Sequence, residues 1–525
     1  MKFNQFVKTV CIVFINLVVV LFISACSGSK EPEQESYNWE NVQIAGGGFV
    51  PGIIFHPTEA GLRYCRTDMG GAYRWSDSLD RWIPLLDWLS YEDVNLMGVE
   101  SIALDPSDPD RVYLACGTYT HPSVPNGAVL RSDDRGKSFD RVDMPFKMGG
   151  NENGRGNGER MAVDPNKGSI IYLGTRHDGL WRSNDHGRAW EKIKSFPDVS
   201  EKGQDERNDN SWYNRNKGSG VVFVVFDPRS GTQGKASSDI YVGVSLMNRA
   251  NLFRSMDGGK TWEPVPDHPR QYRPNHGELA ADGNLYVSYG DDPGPRHMDN
   301  GGVWKYNTNN EKWTEITPDQ PQPEKDLGFG YAAVDVDPQN PNRVITTSFH
   351  RPGSVGGNDI FYSTDGGDSW IPIFGSGGTF DFSKAPYVKH TPIHWMFDVE
   401  INPHNPDHAM FVTGYGGYET FDLTNAAEEK PTLWQVMSTG IEETVALDLL
   451  SPPEGAPIIT AIGDYGGFVH WDIDQPVSEG NFDNPHFGNT NSVDCAWQNP
   501  EIIVRVGIAS HHTGSAHIGY SLDRE

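Results

Sequence analysis

A short motif, Ser-x-Asp-x-Gly-x-x-aromatic, returns at near-regular intervals along the chain, and that periodicity constrains the architecture more than any other feature. It reads SDDRGKSF from Ser132, SNDHGRAW from Ser183, SMDGGKTW from Ser255 and STDGGDSW from Ser363. Degenerate copies fall near 75, 306, 420 and 470, a ninth opens as SLDRE at 521, and the spacings run from 50 to 72 residues. In each copy the Asp is expected to accept backbone N–H groups of a tight hairpin. The Gly supplies a positive φ, and the closing ring packs between neighbouring sheets. This pattern is an Asp-box, with too few carboxylates per loop to hold calcium.

Ahead of most boxes stands a second unit: an apolar strand, a Pro-containing turn and another strand, as in GVESIALDPSDPDRVYLACG and FDVEINPHNPDHAMFVTG. Together the two units predict a four-stranded blade, and such blades close into β-propellers of about four to eight. No long segment carries a helical period. Nine repeats exceed one ring and fall short of two seven-bladed rings. The expected fold is therefore all-β, with tandem seven-bladed propellers of which the second is incomplete in this sequence. A chain of 525 residues also favours more than one domain.

The loop after the second strand of a blade carries a different motif. DMGGAYRW at 68–75 and DYGGFVHW at 464–471 share the frame Asp-x-Gly-Gly, and GYGGYETF at 414–421 has Gly where the Asp would be. The turn thus forms without a carboxylate. Asp68 and Asp464 fall in repeats one and eight, on different rings, and rings facing each other would bring both to one cleft. Two carboxylates across a cleft are the equipment of glycosidic bond hydrolysis, provided their environments keep one protonated and the other ionised. The alternative at this point is a non-catalytic glycan-binding propeller with two surface Asp.

The N-terminus has Lys2 and Lys8 ahead of the apolar run VCIVFINLVVVLFI. That run is short for a spanning helix and fits a signal peptide over 1–26. ISAC, ending at Cys26, resembles a bacterial lipobox, so Cys26 is expected to carry lipid, with 27–36 as a tether. The setting implied is an exported bacterial lipoprotein at the outer membrane or cell surface, touching membrane only through its anchor. Cys65, Cys116 and Cys495 form no disulfide or zinc framework and are expected buried. A formal charge of −28 argues against nucleic acid as a partner. HHTGSAH, with His511, His512 and His517, lacks carboxylate or Cys support, so no metal is expected. GRGNGER precedes a strand and not a helix, which argues against a phosphate loop.

YNWENVQIAGGGFVPGIIFHPTEAGLRYCRTDMGGAYRW resembles the opening of glycoside hydrolase family 74, the xyloglucan-cleaving enzymes. WIPLLDWLSYEDVNLMGVESIALDP, KMGGNENGRGNGERMAVDP, NHGELAADGNLYVSYGD and AIGDYGGFVHWD extend the resemblance from about residue 37 to the end. It implies two seven-bladed propellers with a substrate cleft between them. It also implies an inverting xyloglucan-active β-1,4-glucanase without cofactor, with Asp68 as base activating water and Asp464 as acid protonating the leaving oxygen. Inversion needs roughly 6.5–9.5 Å between the carboxyls. The partner expected is xyloglucan or a related β-glucan, and the protein a monomer. Candidate sugar-binding residues are Trp88 and Asn95, Tyr73 and Trp395 beside matched segments, and Arg66 (with Arg74), which either bonds sugar or steadies a carboxylate. The family's chain path divides the chain at 37–393 and 394–525; a break near 440 would follow if repeat seven completed the first ring. Sialidases share Asp-boxes, but the early Arg-Ile-Pro segment they need is missing here.

Overall fold

The computed structural model describes residues 41–199, 218–478, 480–482, 484–509 and 517–523. The signal segment with Cys26, the tether at 27–36, and His511 and His512 lie outside the described residues. The sheets belong to one compact body, Val42–Glu525. Nine sheets are built from the described residues, spanning 52–84, 99–143, 161–192, 221–264, 273–315, 330–372, 399–436, 446–470 and 487–521. The first six are antiparallel four-stranded meanders. The seventh gains a fifth strand, Thr379–Asp381, parallel to Leu433–Val436, and the last two have three strands each.

The first strand of each of the first six sheets packs against the first strand of the next, and Val399–Ile401 of sheet seven packs against Gly52–Phe55 of sheet one. The ring is thus closed at seven blades, as a β-propeller. Val99–Asp105 and Gly330–Val336 are buried along their whole length, whereas the outer strands Asp140–Asp143 and Glu191–Lys192 are largely exposed. Apolar residues fill the gaps between sheets and not the middle of the ring. Leu62, Tyr64, Ile102 and Leu114 join sheets one and two, and Ile53, Trp75, Met410 and Val412 join sheets one and seven. Each blade buries one face against its neighbour, so no blade is stable alone.

Two acidic side chains tie the closing blade to both neighbours. Asp335 Oδ2 accepts the N–H of Ile401 at 2.7 Å, and Asp398 Oδ2 accepts that of Ile53 at 2.8 Å. The segment 399–436, expected to open a second ring after 393, therefore packs as the seventh blade of this ring. The seam is sealed further by a buried ion pair, Arg63 Nη2 to Glu419 Oε2 at 3.1 Å, with the Arg63 guanidinium over the Trp75 ring at 4.3 Å.

The Asp-boxes form as the sequence implies. Ser132 Oγ accepts Gly136 N–H at 2.8 Å and Asp134 Oδ1 accepts Ser138 N–H at 2.9 Å, with matching bonds at Asp185, Asp257 and Asp365. Gly136 has φ 83°, and the residue before it, Arg135, also lies in the left-handed region at φ 64°. Trp262 packs edge-on to Phe196 of the preceding blade at 5.1 Å between centroids. Cys65, Cys116 and Cys495 are free thiols, all buried.

Candidate active site

The loop between Arg63–Arg66 and Ala72–Ser76 shows why a carboxylate at 68 is surplus to the turn. Thr67 Oγ1 donates to Gly71 O at 3.0 Å and accepts Gly70 N–H at 2.8 Å, so a threonine closes it. Thr413 does the same in the related loop, donating to Gly416 O at 3.2 Å and accepting Tyr415 N–H at 3.0 Å. Gly414 replaces the aspartate there for a steric reason: a Cβ at that position would lie 2.6 Å from His394 Nε2 and 3.1 Å from Trp395 Cε3. The aromatic pair occupies the space that a third carboxylate would need.

Released from the turn, Asp68 pairs with Arg155, whose Nε donates to Oδ2 at 2.8 Å; both side chains are largely buried. Arg155 is itself held from behind, its carbonyl accepting Arg66 Nη1 at 3.0 Å. Its guanidinium lies over Phe49 at 5.2 Å and Trp395 at 5.6 Å from the ring centroids. From there an aromatic row continues: Trp395 to His394 at 5.0 Å, His394 to Tyr415 at 4.8 Å, Tyr415 to Tyr465 at 4.7 Å. Trp395, His394 and Tyr415 are half-buried, the exposure that lets a ring face meet a sugar. Trp395 holds φ 55°, unusual for so bulky a residue.

Asp464 directly precedes Tyr465, the last ring of this row, and sits at φ 67° with its N–H donated to Asn489 Oδ1 at 2.9 Å. Its surface is exposed, yet the protein crowding around it desolvates the carboxyl and lifts its pKa, and the charge on Asp68 lifts it further. Burial raises the Tyr415 phenol, with the charge of Asp464 adding. The two repeat-related aspartates thus share one electrostatic neighbourhood, one beside a guanidinium and one, among the described residues, without a cation partner. Tyr119 also belongs here: Asn151 Nδ2 donates to its hydroxyl at 2.8 Å, and the charge of Asp68 acts on it.

The sugar-binding candidates separate clearly. Trp395 joins the Asp68 group. Trp88 is 53% exposed, its indole N–H bonded to Leu85 O at 3.1 Å, so its ring is open to a ligand. Asn95 braces the loop that follows Asp108–Cys116, accepting Thr118 N–H at 3.2 Å. Tyr73 is corrected to a core residue: it faces the layer between sheets one and seven with Cys65, Trp82 and Met437. Of its two expected roles Arg66 takes the second and not that of a sugar ligand: it is fully buried, its Nε steadies the Glu159 carboxylate at 2.6 Å, and it supports Arg155. Arg74 donates to Arg135 O at 2.9 Å.

Two residues of the site are not singled out by the sequence. Arg155 lies in the Gly-rich run that does not make a phosphate loop, although that run is one of the segments resembling the family. Glu443, buried beside Asp68, accepts Met69 N–H on Oε1 at 2.9 Å and has no motif around it.

No family model matches the chain. A xyloglucanase of Paenibacillus sp. is 42% identical over 518 residues, covering 93% of this chain and 49% of that protein. Xyloglucanase Xgh74A of Acetivibrio thermocellus is 42% identical over 533 residues, covering 97% of this chain and 62% of that protein. The chain therefore spans about half to three-fifths of the length of these curated relatives. Among solved structures, the GH74 xyloglucanase of Xanthomonas campestris superposes with TM-score 0.87 at 44% identity, covering 93% of this chain and 68% of that one.

Proposed function

Since the chain belongs to glycoside hydrolase family 74, we propose that it acts in cleaving the β-1,4-glucan backbone of xyloglucan with inversion at the anomeric carbon. Asp68 is the base that activates water, and Asp464 is the acid that protonates the departing glycosidic oxygen. The observation that carries this reading is the asymmetry of the pair. Asp68 has a guanidinium at 2.8 Å, while Asp464 has its carboxyl raised by crowding and by the charge of Asp68. That is the division of labour an inverting pair requires, one carboxylate ionised and one holding its proton.

The row Trp395, His394 and Tyr415 between them, with Trp88 as a more distant platform, offers faces on which glucose rings stack. Arg155 fixes Asp68, so a water above its free oxygen meets a base of defined direction. The residues after Val436 contribute Asp464 from a second ring begun by sheets eight and nine, and the protein works as a monomer. Export as a lipoprotein anchored at Cys26 is part of the same reading: Cys26→Ala should move the protein from the membrane fraction to the soluble one.

Digestion of xyloglucan by the wild type, Asp68→Ala and Asp464→Ala, with product anomers followed by NMR, tests the proposal. The first products should be α-anomers, and each substitution should cost about 100- to 10,000-fold in kcat. β-Anomers in the first products would overturn the mechanism. Activity surviving both substitutions would overturn the sites and favour a glycan-binding role.

A further inference from the structure

Glu443 is packed more closely than any turn or core requirement explains. A Cβ on Gly48 would fall 2.5 Å from Glu443 Oε2 and 2.6 Å from Cγ, and one on Gly70 would fall 3.0 Å from Glu443 Cβ and Cγ. The side chain is therefore clamped between the AGGGF segment and the DMGG turn, and both glycines are needed for it to pass. Neither Gly48 nor Gly70 has a positive φ, so the clamp and not backbone conformation accounts for them.

The clamp delivers a carboxyl to one place. Oε1 accepts Met69 N–H at 2.9 Å, which fixes the rotamer, while Oε2 is buried without a formed hydrogen bond and stands beside Asp68. Among the described residues no cation pairs with Glu443: Arg155 lies on Asp68, and Glu442 turns away to accept Ile44 N–H at 2.8 Å. The other titratable groups acting with it, the Cys65 thiol and the Tyr73 phenol, are both pushed up by burial and stay neutral. Two adjacent carboxylates sharing a single guanidinium cannot both ionise cheaply in a buried setting.

Resting on the reading of Asp68 as base, we propose that Glu443 is its positioning residue: a neutral carboxyl, locked between Gly48 and Gly70, whose O–H donates to Asp68 while Arg155 holds Oδ2. Asp68 is then oriented by one cation and one neutral donor, and keeps its negative charge and the lone pair that takes the proton from water. Burial first, and the charge of Asp68 second, raise the Glu443 carboxyl well above its ordinary value, which agrees with the proton residing there.

The test uses the full chain and two variants. Glu443→Gln keeps an oxygen for Met69 N–H and a donor for Asp68; Glu443→Ala removes both. Infrared difference spectra at neutral pH should show a neutral-carboxyl band in the wild type that both variants lose and that Asp68→Asn displaces. On xyloglucan, the Ala variant should lose about 10- to 100-fold in kcat with KM nearly unchanged, the scale of a misplaced catalytic group. The Gln variant should keep at least about a third of wild-type kcat. If no neutral-carboxyl band is lost, if folded Glu443→Ala turns over like wild type, or if Gln is as damaged as Ala, the proposal fails. A wild-type chain that leaves xyloglucan intact, or activity untouched in Asp68→Ala, sinks the proposed function instead, and the infrared comparison still decides the pair. Should Glu443→Ala not fold, the isosteric Gln variant and its spectrum decide the matter.

Discussion

The centre of the seven-bladed ring makes a quantitative prediction. Its first strands surround a cavity of about 330 Å³ that Glu159, Glu278, Asp335 and Glu400 line, with Asp398 close behind on the closing blade. Among the described residues the ion pair made with this group is that of Arg66, which is bonded to Glu159. Desolvation pushes the Glu278 carboxyl up to about 7 and that of Asp398 up to about 8, while Asp335 and Glu400 are raised by burial and by the carboxyls around them. For Glu278 the sign follows from linkage. Between its ordinary 4.5 and about 7 the folded chain keeps a proton that the unfolded chain releases. Stability contributed by this group is complete below the lower value and is lost as pH rises through the upper one. The loss amounts to roughly 3 kcal/mol, or about 2 kcal/mol once water in the channel is allowed for. Glu278→Gln removes the ionisation, and it relieves Asp335 and Glu400 in the same direction. Urea denaturation of wild type and Glu278→Gln should give curves in which the variant gains about 2–3 kcal/mol on the wild type between pH 4.5 and pH 8. Parallel stability–pH curves for the two proteins would refute the argument that this channel holds its protons.

Further predictions follow from the seam and the site. Glu419→Ala strands Arg63, whose side chain is 8% exposed, and should cost about 3–5 kcal/mol in denaturant unfolding; a loss under about 1 kcal/mol would mean the seam is held by apolar packing alone. Gly414→Asp, which makes the third loop match the other two, should not create a working carboxylate. It should destabilise by about 1–3 kcal/mol, because the new Cβ meets His394 and Trp395. Arg155→Ala should lower kcat on xyloglucan about 100-fold, since Asp68 loses its ion-pair partner; unchanged kcat would show that Asp68 needs no orienting cation.

Much of the fold is legible in the sequence because repetition exposes what one copy hides. Four Asp-boxes and three Asp/Gly-x-Gly-Gly turns allow positions to be compared, and the comparison isolates Asp68 and Asp464 as carboxylates without a turn duty. Other positions are illegible for definite reasons. Tyr73 and Arg66 look like ligand residues because they neighbour Asp68, yet proximity in sequence says nothing about which face of a strand a side chain takes. Tyr73 pairs across to Cys65 and points into the layer toward sheet seven. Glu443 lies 374 residues from Met69, the backbone it grips, and no local pattern announces so distant a contact. Repeat seven cannot be assigned to a ring from spacing, because either assignment leaves the intervals unchanged. The packing of its first strand against sheets six and one, and the bonds from Asp335 and Asp398, decide it.

The same residue type is put to three uses within this body, and its surroundings rather than its identity select among them. In the channel, Asp335 and Asp398 accept neighbouring strands' N–H groups with no cation bonded to either, so burial favours their neutral form and they work as clasps. At the loop end, one guanidinium is supplied, and it goes to Asp68. Glu443, equally buried, has its carboxyl raised by burial and by the charge of Asp68, and Asp464 has its carboxyl raised by crowding. Moving Arg155 would therefore change more than one ion pair: it would alter which of the neighbouring carboxyls carries the charge. In a protein of net charge −28, the scarce element in such a site is the positive group. Under the proposed mechanism, where the fold places it determines which acid serves as the base.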